Sequence, residues 1–235
     1  MERIDRVVGT FEKTDALPKT DLSGTPPAVL RRLPLYYRTL RALCAAGCKR
    51  TSSGELAATM GLTAPQVRRD LGCFGGFGQK GYGYNVPRLL DKIGQVLGAA
   101  DGYRAVLIGR PPLPSPDGSL PFFEGCGVRL LAVFATNGSP EGEDFPILPL
   151  ADAPAFCRES GVDIAVLAGQ VPGMEALAAA LAAAGVRGIL NMTERALPCP
   201  PNMIMEELHP ADSLLNLCCR VRGQAYESIV KEETT

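Results

Sequence analysis

The chain has no tryptophan and one histidine, His209, among its 235 residues. That scarcity removes the His-rich ligand sets and His-centred acid/base constellations on which many metal and hydrolytic enzymes depend. Eight cysteines are present (Cys44, Cys48, Cys73, Cys126, Cys157, Cys199, Cys218 and Cys219), but no Cys-x-x-Cys pair. Neither a zinc ribbon nor a disulfide framework is expected from that spacing, so the cysteines read as free thiols and no metal is expected. Long hydrophobic runs are missing too. The longest apolar stretches, such as Met174 to Val186, are broken by glycine or charge before the roughly 18 to 20 residues of a membrane span. The first residues mix Glu2, Arg3, Asp5, Arg6, Glu12 and Lys13 with no apolar core, which argues against a secretory signal and predicts a cytoplasmic protein with no membrane partner.

What is present is ordinary in bulk and uneven in distribution. With 46% apolar and 21% charged residues the chain can bury real cores. The net charge of −1 hides an asymmetry: residues 26 to 95 carry eleven Lys/Arg against three acids, a net +8, and the remainder a net −9. A basic segment on an acidic body is what a nucleic-acid reader fused to a separate domain looks like. A charge run is also compatible with a solvated face, so the pattern within the segment decides.

Residues 1 to 25 show no sustained period and read as a mobile arm. A helix is predicted from about Pro27, with Val29, Leu33, Tyr36, Leu40 and Leu43 on one face and a bend at Pro34. Ser52 with Glu55 is a capping-box pair that opens a short helix ended by Gly61. Thr63 with Gln66 repeats the signature for a second short helix to about Leu71. Gly72 to Tyr84, dense in glycine and aromatics, predicts a hairpin wing, and another amphipathic helix follows with Leu89, Leu90, Ile93 and Leu97. From Tyr103 buried strands (104–108, 128–134, 162–167, 186–191) alternate with helices (153–160, 172–184). That alternation implies an α/β domain with a mostly parallel sheet. A last helix is expected over 210–222, after an apolar piece at 203–205, leaving 223–235 as a tail. The domains are therefore 26–98 and 99–209, with the terminal helix beyond.

Successive helical residues turn by about 100°, so Val67 and Leu71, with Ala64 beside them, pack inward. Gln66 and Arg69 then face outward with Arg68 on the flank, a set that can reach base edges and phosphates in a major groove. Asp70 is expected to hold an arginine in position rather than touch DNA. Two short helices separated by a tight turn, the second basic outside, form a helix-turn-helix. Around them Arg31, Arg32, Arg38, Ser52, Ser53, Thr63, Ala64, Lys80 at the wing tip and Tyr82 complete the candidate contacts with double-stranded DNA. A three-helix bundle with a solvated basic side is the plain alternative.

The segments LRRLPLYYRTLRAL (30–43), TSSGELAATMGLTAPQVRRDLGCFG (51–75), GYGYNVPRLL (81–90), GVDIAVLA (161–168) and GVRGILNMT (185–193) closely resemble the Rex family of redox-sensing transcriptional repressors. The likeness spans roughly 27–217. It implies winged-helix domains paired in a homodimer, Rossmann-like sensor domains, and exchange of the helix from Pro210 between subunits. It further implies palindromic operators released when NADH outcompetes NAD⁺. Docking of that helix on its own sheet remains the plain alternative.

The sequence departs from that pattern at the cofactor. A dinucleotide fingerprint puts G-x-G-x-x-G after the first strand, where backbone N–H groups meet the pyrophosphate. Here Gly109 is followed by Arg110, Pro111, Pro112, Leu113 and Pro114, and proline has no N–H to donate. Ala135 stands where the family has an aspartate for the ribose, and Ala168, Gly169, Gln170 replace a threonine-valine-proline turn. Gly109, Arg110 and Ala135 are thus the candidate cofactor residues, and NAD(H) sensing is expected to be weakened or lost. Three other readings stay open. One is an NADH-responsive repressor with Arg110 facing phosphate. The second is a thiol regulator using Cys44 with Cys48, or Cys73. The third is an oxidoreductase, which lacks a cofactor site and has His209 only at a helix entry.

Overall fold

The computed structural model describes residues 24–75, 78–79, 83–99, 101–109, 123, 126–135 and 147–233. Most of the expected arm, Lys80, Tyr82, Arg110 and the prolines after it lie outside these. The chain divides into two compact units, Glu12–Gly102 and one containing Tyr103–Thr235.

In the first unit α1 spans Pro27–Ala45 and buries Val29, Leu33, Tyr36 and Leu40, the face its apolar spacing predicts. It continues through Pro34, which is exposed and forfeits only the backbone bond to the preceding turn. The helix ends before Cys48: Gly47 takes φ +74°, and Cys48 N–H donates to the Leu43 carbonyl at 2.9 Å. Cys48 is therefore not on the helical face of Cys44, and its thiol points to the Arg50 carbonyl at 3.0 Å. This corrects the expected pairing of Cys44 with Cys48 along one helix.

Helices α2 (Ser53–Met60) and α3 (Ala64–Gly72) start where their caps predict. Ser52 Oγ accepts from Glu55 N–H at 3.1 Å while the Glu55 carboxylate accepts from Ser52 N–H at 2.7 Å, which closes the capping box. These bonds, with one from Thr51, draw the Glu55 carboxyl below its ordinary value. Gly61 ends α2 in the left-handed region, and Thr63 caps α3 by accepting from Gln66 N–H at 3.3 Å. Asn85 caps α4 (Val86–Leu97) in the same way.

Three short antiparallel strands, β1 (Arg50–Thr51), β2 (Gly78–Gln79) and β3 (Gly83–Asn85), lie in the order β1-β3-β2. Glycine is obligatory at position 83, where φ is +68° and a Cβ would sit 2.5 Å from the Thr51 carbonyl oxygen. One core joins α1 to α4, with Leu56, Val67, Val86, Leu89 and Ile93 fully enclosed.

The second unit is a six-stranded parallel sheet in the order β6-β5-β4-β7-β8-β9. The strands are β4 (Tyr103–Gly109), β5 (Val128–Ala135), β6 (Ile147–Pro149), β7 (Ile164–Ala168), β8 (Gly188–Met192) and β9 (Ile204–Glu207). Side chains alternate between two apolar layers. Val106, Ile108, Ala165 and Leu167 enter one, with α5 (Ala153–Ser160) and α6 (Met174–Ala183); Ala105, Leu107 and Val166 enter the other. An irregularity at Leu131 shifts the β4–β5 register, so Leu130 shares a layer with Val133 while Ala132 and Phe134 share the opposite one.

Strands β6 and β9 have only three and four residues. The expected strands at 162–167 and 186–191 begin two residues later because Val162 and Val186 close the loops entering them. The terminal helix, α7 (Pro210–Glu233), runs eleven residues beyond its expected end. Most of that extension is made of good helix formers, and it replaces the expected tail. Every described residue of α7 from Pro210 to Gly223 is exposed. Leu214, Leu217 and Val221, 53 to 60% exposed, form a stripe at helical spacing with nothing packed on it among the described residues.

Gly109 ends β4 at φ +99°, and a Cβ there would lie 2.1 Å from the Ala168 carbonyl oxygen. Gly109→Ala is expected to destabilise the sheet unit by at least about 2 kcal/mol, read as a lower urea midpoint at unchanged m-value.

Candidate nucleic-acid interface

The nine residues of α3 are too few for a helix to persist alone, so its outward face has meaning only if its inward face is anchored. Val67 and Leu71 supply the apolar part, at 0% and 2% exposure. The polar part is Asp70, only 3% exposed. Arg32 of α1 donates to both of its oxygens, Nε at 2.8 Å and Nη2 at 2.7 Å, and the Tyr36 hydroxyl donates at 3.0 Å. A carboxylate removed from water requires this kind of forked, charge-assisted partner.

The electrostatics follow from the contacts. Hydrogen bonding to Asp70 raises the Arg32 guanidinium further above its already high value. Burial first, and then the bond to Asp70, holds the Tyr36 hydroxyl well above its ordinary range, so it stays a donor. Asp70 thus holds an arginine, as the sequence indicates. Arg32 itself is committed to α3 and is a positioning residue, in place of the groove contact expected of it. Tyr36 was legible only as a core aromatic; the signal for its role is that a buried tyrosine hydroxyl must find a partner.

With that face fixed, Arg68 and Arg69 are exposed and Gln66 is half-buried at its edge. The Arg68 guanidinium donates to Ser53 Oγ at 3.1 Å, tying the flank of α3 to the first turn of α2. Ser52 and Thr63 are exposed, Ser53 and Ala64 partly so, and all four sit at the N-terminal ends of α2 and α3. Arg31 and Arg38 are exposed on α1. This unit therefore carries a cationic, hydrogen-bonding surface around the N-terminal ends of two short helices, the arrangement that meets phosphates with backbone N–H groups and bases with side chains. The Cys73 thiol points to the Arg69 carbonyl at 3.5 Å, beyond the outward residues of α3.

The sheet has a second candidate site. Its strand order reverses at β4, with β5 on one side and β7 on the other, and ligands of such sheets sit outside the carboxyl ends at that switch. Gly109, Ala135 and Ala168 end those three strands. The close approach of Gly109 is to the β7 backbone, and the methyl of Ala135 offers no acceptor to a ribose hydroxyl. Among the described residues, the chemistry at these strand ends does not match a dinucleotide cradle.

Comparisons with known proteins extend over both units. Residues 24–72 match the family described as "Putative DNA-binding protein N-terminus". The redox-sensing transcriptional repressor Rex of Caldanaerobacter subterraneus subsp. tengcongensis is 35% identical over 210 residues, covering 88% of this chain and 94% of that one. Its counterpart in Clostridioides difficile is 37% identical over 193 residues, 81% of this chain and 92% of that one. Among solved structures, RSP in complex with β-NAD⁺ and operator DNA superposes with a TM-score of 0.74 at 34% identity, covering 92% of this chain and all of that one. RSP with β-NADH gives 0.73 at 30% identity over 90% of this chain and all of that one.

The Arg32–Asp70–Tyr36 cluster falls within the matched N-terminal stretch. Asp70→Ala would leave a guanidinium and a phenol without their acceptor. It is expected to cost the first unit about 3 kcal/mol, measured by thermal or urea unfolding, while Arg69→Ala leaves stability within about 0.5 kcal/mol. On the identity and extent of these matches, the chain belongs to the Rex family of redox-sensing transcriptional repressors and is a DNA-binding regulator of transcription, not an enzyme.

Proposed function

We propose that this chain represses transcription by occupying an inverted-repeat operator as a homodimer, and that its response to NAD(H) is weakened or lost. The observation that carries the DNA part is the outward presentation of Gln66, Arg68 and Arg69 on a helix clamped from behind by Asp70. Arginine matches guanine and glutamine matches adenine through two hydrogen bonds each. Arg31, Arg38, Ser52, Ser53, Thr63 and the backbone at Ala64 serve the phosphates, and the sequence adds Lys80 and Tyr82 as further candidate contacts. RSP, the solved relative above, is captured with operator DNA.

The dimer reading is supported by α7. A helix whose Leu214, Leu217 and Val221 stripe faces water in a single chain leaves apolar surface that a second copy would cover. A twofold pair of winged-helix units then meets a palindrome, with half-sites about one helical turn apart or a multiple of it. Loss of sensing is supported by the strand ends: prolines follow Gly109, and Ala135 and Ala168 end the neighbouring strands. RSP binds both β-NAD⁺ and β-NADH, so the contrary outcome has a specific form. In that case NADH would bind this chain and release the operator.

Fluorescence anisotropy on an inverted-repeat duplex tests the reader. Arg69→Ala should weaken specific binding by about 1–3 kcal/mol relative to scrambled DNA. Lys80→Ala should instead lower the salt slope by about 1 and spare the sequence preference. Equal affinity of the unmodified chain for operator and scrambled duplex would refute the reading. Calorimetric titration with NADH and NAD⁺ tests the sensor, and micromolar binding that releases operator would overturn the proposed loss.

A further inference from the structure

The one histidine of the chain lies at the junction of β9 and α7. His209 immediately precedes the first residue of that helix, and its carbonyl accepts from Asp212 N–H at 3.0 Å. Its ring Nε2 is 3.1 Å from Glu207 Oε2, and the Thr193 backbone, in the loop after β8, also favours the charged ring. A neutral imidazole meets the carboxylate with one ordinary hydrogen bond; the imidazolium adds the attraction of opposite charges to the same contact.

The far side of the carboxylate is anchored in the sheet. Glu207 Oε1 accepts from Leu197 N–H at 3.4 Å and approaches Asn191 Nδ2 at 3.5 Å. Asn191 is fully buried and bonds to the Arg195 carbonyl at 2.8 Å and to the Thr193 hydroxyl at 2.7 Å. The Arg195 guanidinium is turned to Glu175 at 3.2 Å and does not compete for Glu207. The charged groups facing the ring are thus Glu207 from β9 and Asp212 from α7, both favouring a cation, against the positive end of α7, which disfavours it. Every described residue of α7 from Pro210 to Gly223 is exposed.

We propose that His209 is a proton-sensitive latch that holds the start of α7 to the sheet edge more tightly when the ring is charged and loosens that hold when the ring is neutral. The ring's value is raised above 6.5, first by the bond to Glu207. The extra anchoring is complete below pH 6.5 and is lost as the pH rises through the raised folded value. The effector is the proton, acting on the element proposed above to lie between subunits. The latch rests on α7 within one chain, so a monomer with a titrating latch would refute the dimer and leave this inference standing.

Because His209 is the sole histidine, its ring carbon resonance in the full chain is assigned without ambiguity. The expected titration midpoint lies above 6.5 and drops in Glu207→Gln, which keeps acceptors for Leu197 and Asn191. Amide exchange in the first turns of α7, corrected for intrinsic rates, should lose protection by about threefold between pH 6 and pH 8.5, the scale of one exposed charge-assisted hydrogen bond. That dependence should vanish in His209→Gln, which cannot titrate. A midpoint at or below 6.5, one unmoved by Glu207→Gln, or protection that follows pH equally in His209→Gln would each overturn the proposal.

Discussion

A carboxylate at 3% exposure is the constraint around which the first unit is organised. Asp70 loses its water on folding, and the loss is tolerated only because Arg32 meets both oxygens and Tyr36 adds a third donor. Those partners come from α1, residues that are distant in sequence, so α3 can form its inward contacts only when α1 is in place. Apolar burial is non-directional and sets the orientation of the helix less sharply than a hydrogen-bonded pair does. A bidentate ion pair has a narrow range of geometry, and it therefore sets the azimuth at which Arg68 and Arg69 leave the surface. The cationic face is exposed because the acidic one is pinned.

Much of this was legible from residue order alone. The two capping signatures placed the starts of α2 and α3, because a side chain that satisfies an orphan N–H does so locally and needs no tertiary context. The inward face of α3 followed from helical geometry, and Asp70 from its lack of any reason to approach phosphate. The partner of Asp70 was less legible. Arg31, Arg32 and Arg38 all lie on α1, and only the packing angle between two helices decides which of them reaches across. The same limit explains the short strands β1 and β6, of two and three residues, which have no periodicity to read.

The ends of the sheet unit illustrate the opposite error. The extension of α7 to Glu233 follows from helix-forming composition, but a boundary at Arg222 is natural when Gly223 is taken as a stop. Glycine stops a helix when the chain adopts φ > 0 there, which depends on what the following residues can pack against. Residues of α7 up to Gly223 are exposed, so in a single chain little opposes simple continuation. His209 lies at the helix entry that its place before Pro210 indicates, though its partner Glu207 is anchored to Asn191 and Leu197, which only the parallel pairing of β8 with β9 brings within reach.

Gly109 carries a lesson about inferring ligands from fingerprints. Its missing side chain leaves room for the Ala168 carbonyl, a neighbour supplied by the sheet itself whether or not a nucleotide arrives. Scaffold geometry alone would preserve that residue after the pocket beside it had changed occupation. The first glycine of such a motif is a record of how two strands meet, and it testifies to ancestry more than to present cargo.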